Sequence, residues 1–73
     1  MAPPSDTVLT GIQLRRALRA LDRRKRLVLV LYWYLDLPLT EIATITGSSV
    51  HAVESRLHRG VWELGRLLEA DRG

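Results

Sequence analysis

The chain contains no cysteine and no phenylalanine, and its aromatic residues are two tryptophans and two tyrosines. Without cysteine there are no disulfides and no thiolate metal ligands. Two histidines, His51 and His58, are too few to hold a structural zinc alone, so neither a metal nor a cofactor is expected. No glycine-rich phosphate loop, nucleophile–base pair or metal-ligand spacing is present, which argues against an enzyme. The longest apolar run, residues 27–35, falls well short of the roughly 20 residues that a membrane span needs. The opening Met1-Ala2-Pro3-Pro4-Ser5-Asp6 has no cationic stretch leading into an apolar one, so no signal peptide is read there and a cytoplasmic location is expected.

What is present is aliphatic: 47% of the 73 residues are hydrophobic. A domain this short buries only about 60% of the surface its unfolded chain exposes. Lacking disulfides and metals, it must be held by dense apolar packing, and a compact helical bundle meets that demand. The formal charge of +3 is unevenly spread. Arg15, Arg16, Arg19, Arg23, Arg24, Lys25 and Arg26 crowd one stretch, opposed within it by Asp22 alone. Beyond Gly47, Arg56, Arg59, Arg66 and Arg72 are balanced by Glu54, Glu63, Glu69 and Asp71. A basic face of this kind suits an anionic partner.

Residues 1–9 read as a flexible, proline-containing lead-in, and 10–73 as one domain. From Thr10 onward, Ile12, Leu14, Leu18 and Leu21 recur mostly at helical spacing. Asp22 is placed to cap a second helix through Leu27, Val28, Val30, Leu31 and Tyr34. A buried strand over 27–35 is rejected, because it would have no partner and no hairpin signal accompanies it. Pro38 is expected to stop that helix, Thr40 to cap a short third helix from Glu41 to about Thr46, and Ser49 to cap a long last one reaching about Leu68. The last helix's apolar stripe reads Val53, Leu57, Val61, Leu64 and Leu68. The fold class is therefore all-α, a small bundle of about four helices.

A short helix, a glycine turn and a longer helix make a helix-turn-helix. Ala43 is small where the second helix must approach, and Gly47 can adopt the left-handed conformation that ends the first. Val53 points back to fix the angle between them, with Ile42 and Leu57 completing the interior. An ordinary helical hairpin would share some of these features.

The residues Leu39-Thr40-Glu41-Ile42-Ala43, then Gly47, then Val53-Glu54-Ser55-Arg56-Leu57-His58-Arg59-Gly60 resemble region 4 of bacterial sigma factors, most closely the extracytoplasmic-function class. Upstream, Leu21-Asp22-Arg23-Arg24-Lys25-Arg26-Leu27-Val28-Leu29 is similar to the opening of the same domain. The resemblance implies a promoter-recognition role in transcription initiation. The last helix would bind the −35 element, the domain would dock on the β flap of RNA polymerase, and an anti-sigma protein would be a further partner. Carried over by position, it implies DNA contacts from Ser49, His51, Ser55, Arg56 and Arg59. It also implies phosphate contacts among Arg23, Arg24, Lys25 and Arg26. Tyr32, Trp33, Tyr34 and Trp62 become candidates for a protein-partner surface. Three consecutive aromatics cover three directions of a helix, so at least one should be exposed.

Several positions depart from the family pattern. Glu54 stands where many relatives carry Lys or Arg, and a carboxylate there would repel phosphate, although it could accept from a cytosine amino group. Thr46 and Ser48 replace aliphatic residues, which should loosen the turn. Gly60 replaces an alanine, at about 1 kcal/mol of helix propensity. These departures suggest weak DNA affinity in isolation. They leave open a protein-interaction module of the same fold, captured by an anti-sigma factor or another regulator. The part of a sigma factor that melts promoters is not in the chain, which reads as an excised domain or a small stand-alone relative.

Overall fold

The computed structural model of the chain describes residues 11–72, without the side chain of Arg72. The expected lead-in over 1–9 and the helix start at Thr10 lie outside the described residues. Four helices follow: α1, Gly11–Ala20; α2, Arg23–Leu29, running on into a π-helical turn, Val30–Tyr34; α3, Leu39–Thr46; and α4, Val50–Arg72. No strand occurs among the described residues, so the fold is all-α and residues 27–34 are helical.

α1 packs chiefly on α4. With one main neighbour it buries only a narrow stripe: Ala17 and the following Leu21 are buried, and Leu18 is half-buried. The expected stripe was wider. Ile12 is 66% exposed and Leu14 also lies at the surface, because no second helix among the described residues covers that side of α1. The carbonyls of Leu18 and Arg19 accept from the Arg26 guanidinium at 3.4 and 3.3 Å, a cation placed at a helix C-terminus, where the backbone dipole favours it.

Asp22 caps α2 as expected, its carboxylate accepting from the Arg24 N–H at 3.2 Å. Val28, Leu29 and Leu31 are buried. The helix then widens: the Leu35 N–H donates to the Val30 carbonyl, five residues back, at 3.1 Å. Asp36 takes a left-handed φ of 56°, and the Leu37 N–H reaches the Leu31 carbonyl at 3.0 Å. The second helix is therefore ended by this left-handed turn, ahead of Pro38. Proline has a different task. Pro38 is the N-cap of α3 and makes no side-chain cap bond. Its carbonyl accepts from Glu41 and Ile42 N–H groups, both at 3.1 Å. Its fixed φ and missing N–H suit a helix entrance. Thr40, expected as the cap, lies within the first turn instead.

Gly47 ends α3 at φ 69°, the left-handed conformation that needs no Cβ. Ser49 caps α4, its Oγ accepting from the Ala52 N–H at 3.0 Å. On α4, Val53 and Leu64 are buried, and Leu57 and Leu68 are half-buried. Val61 is 38% exposed, against expectation, and Gly60 is buried in its place. An ideal Cβ at Gly60 would lie 3.3 Å from Leu29 Cδ1 and 3.5 Å from Lys25 Cβ. α2 therefore crosses α4 at Gly60, and the inward stripe shifts by one residue there.

Two buried clusters result. Val28, Leu31, Ile42, Ala43 and Val53 hold the helix-turn-helix to α2. Ala17, Leu21, Leu29 and Leu64 seat α1. Leu57 packs against both.

Candidate nucleic-acid interface

The turn between α3 and α4 sets the start of the last helix. Ile42 and Val53 are fully buried against each other's helices and Ala43 is nearly so, which fixes the crossing that the residue spacing implies. Thr46 and Ser48 do not leave the turn loose. Thr46 Oγ1 donates to the Ile42 carbonyl at 2.8 Å, and the Ser48 N–H donates to the Ala43 carbonyl at 2.9 Å. The Thr46 side chain thus makes a polar bond at a position where the family pattern has an aliphatic residue.

At about 100° per residue, Ser55 and Arg59 stand about 40° and 80° round α4 from His51. All three lie on the sector away from buried Val53, Gly60 and Leu64. His51 and Arg59 are exposed, and Ser55 is half-buried. Glu54 and His58 share this sector and are exposed. Ser49 is exposed and already engaged as the cap. Arg56 stands apart, about 140° from His51. It is half-buried, and its guanidinium donates to Ser48 Oγ at 2.9 Å. Ser48 is thus a partner of Arg56 that the sequence does not signal, since a serine eight positions away carries no helical-spacing signal.

The basic stretch divides in two. Lys25 Nζ pairs with Glu63 at 2.7 Å, joining α2 to α4, and Arg26 is spent on the end of α1. Arg23 and Arg24 are exposed, and their guanidinium groups make no hydrogen bond or ion pair among the described residues. Arg16 pairs with Asp71 at 2.9 Å. Arg24 and Leu27 line a shallow cleft with Ile45, Thr46, Gly47, Ser48 and Arg56.

The aromatic residues also divide. Tyr32 is half-buried and packs on the helix-turn-helix cluster. Trp33 is 57% and Tyr34 84% exposed. With Leu14, Leu18, Val61 and Leu68 they line a groove of almost entirely apolar surface between α1, the π turn and α4. The exposed Leu14 and Val61, failures of the simple stripe reading, are explained by this groove. Trp62 is exposed on α4, with the Arg66 guanidinium 5.1 Å from its ring centroid, a cation–π contact.

No helix among the described residues is long and apolar enough to cross a membrane. No curated protein matches the chain. The family model described as Sigma-70, region 4 matches residues 11–64, which run from the start of α1 well into α4. With 54 of the 73 residues matched, and with the helix-turn-helix the family requires, the chain belongs to the sigma-70 region 4 family of non-catalytic, DNA-binding modules of transcription.

Proposed function

We propose that the chain recognises the −35 element of a promoter through the first turns of α4 and docks on RNA polymerase, through the β flap, to direct transcription initiation. The observation that carries this reading is the orientation of α4. Ser49 caps its first turn, and His51, Ser55 and Arg59 occupy the sector turned away from the core. A recognition helix enters the major groove with its N-terminal residues. There, an arginine such as Arg59 can pair with guanine. Free amides beside Ser49 suit a backbone phosphate.

The apolar groove between α1, the π turn and α4 supports the docking half of the proposal. Aromatic side chains at an apolar rim are typical anchors of protein interfaces. The same groove favours the second reading, capture by an anti-sigma protein, and Glu54 in the DNA-facing sector weakens the first.

Fluorescence anisotropy of a labelled −35-like duplex and a shuffled duplex, across a salt series, separates the two. Preference for the first duplex, with affinity falling steeply with salt, supports promoter recognition. Equal and feeble binding to both would transfer the function to protein interaction alone.

A further inference from the structure

We propose that Arg24 and Arg56 close on a single DNA phosphate from opposite sides of the cleft beside the helix-turn-helix turn, so that Arg56 grips the backbone and takes no part in reading bases. The inference rests on the promoter-binding reading and assigns roles within it. Arg24 projects from α2 and Arg56 from α4, elements distant in sequence, and both line the cleft floored by Ile45, Thr46, Gly47 and Ser48.

Arg56 is aimed there by a specific bond: its Nη1 donates to Ser48 Oγ at 2.9 Å. That bond uses one of five guanidinium N–H groups. It also draws the side chain back toward the turn and away from the His51 and Ser55 sector. A base-reading arginine must extend into the groove, and this one is tethered eight residues behind its own position. Arg24 makes no side-chain hydrogen bond or ion pair among the described residues, its cap contact to Asp22 being made through its backbone N–H. Among the described residues no carboxylate lines this cleft; Asp22, beside Arg24, lines the adjoining one. Two guanidinium groups and no acid around an open, shallow site fit a phosphodiester, which arginine can hold bidentately.

Counterion release tests this directly, because the slope of log K against log salt changes by about 0.9 for each phosphate neutralised. The proteins compared are the wild type, Arg24→Gln, Arg56→Gln and the double variant, each checked for unchanged helical circular dichroism. Titrations use the −35-like and shuffled duplexes. Each single variant is expected to lose affinity several-fold on both duplexes alike, since its remaining arginine still meets the phosphate. The double variant should lose about 0.9 in slope, the value of one phosphate, with the ratio between duplexes unchanged.

A loss of about 1.8 in the double variant would mean two separate phosphates and would overturn the shared site. A collapse of the duplex ratio in Arg56→Gln would make Arg56 a base reader and overturn its assignment. If the wild type prefers the −35-like duplex while the double variant keeps the full slope, the shared site alone fails. If the wild type binds neither duplex, the promoter reading fails and the shared site falls with it.

Discussion

Gly60 and Gly65 lie on the same helix and meet opposite surroundings. An added Cβ at Gly65 has nothing within 4 Å, whereas at Gly60 it presses on Leu29 Cδ1 at 3.3 Å. Gly65→Ala is therefore expected to raise stability by about 0.5–1 kcal/mol, the helix-propensity gain alone. Gly60→Leu should lower it by about 1–3 kcal/mol, because the extra carbons must displace a side chain that is itself buried. Urea denaturation midpoints of the two variants test this, and an unperturbed Gly60→Leu would place the crossing of α2 over α4 elsewhere. From the sequence, Gly60 reads only as a lost alanine. Its packing role depends on where another helix passes, which local propensity does not encode. The motif marks Arg56 as a candidate site residue, but its bond to Ser48 depends on the turn's three-dimensional path.

Helix ends show where local chemistry suffices and where it does not. Asp22, Gly47 and Ser49 act as their residue types dictate, since each capping bond spans four residues or fewer and needs no tertiary information. Thr40 fails as a cap because Pro38, two residues earlier, is already preorganised for the helix entrance and its carbonyl accepts the first bonds. The difference is measurable. Ser49→Ala should cost about 1 kcal/mol through the lost bond to the Ala52 N–H. Thr40→Ala, at an exposed position inside α3, should stay within about 0.5 kcal/mol of wild type. Equal losses in the two variants would restore Thr40 as the cap. α1 was the least legible element. Its Ile12 and Leu14 carry the same periodic signal as core residues, and among the described residues no second neighbour covers them.

At the scale of the molecule, the two buried clusters meet at Leu57, which contacts both. Leu57→Ala should therefore destabilise the whole domain by about 2–4 kcal/mol, the usual cost of such a truncation in a core. It should do so in one cooperative transition that far-UV and near-UV dichroism follow together. A biphasic melt would instead separate α1 and its cluster from the helix-turn-helix.

Coupling in the core coexists with separation at the surface. His51, Ser55 and Arg59 lie within about 80° of one another, while Val61, on the groove edge of α4, stands about 120° from Ser55 and about 160° from Arg59, and about 10 Å along the axis from Glu54. The groove's other walls, Trp33 and Tyr34 from the π turn and Leu14 from α1, belong to elements that contribute none of the three. Glu54→Lys adds a cation to the proposed DNA-facing sector and should raise affinity for duplex DNA several-fold, more at low salt, without changing affinity for the β flap. Trp33→Ser truncates an exposed aromatic and should weaken binding to the flap tenfold or more, about the 1.4 kcal/mol or greater expected of an interface anchor, while leaving DNA affinity as it was. Titration of both variants against both partners decides the matter. If Trp33→Ser weakens DNA binding as strongly as flap binding while the fold is retained, the groove and the recognition helix form one surface, and the division of labour between them is wrong.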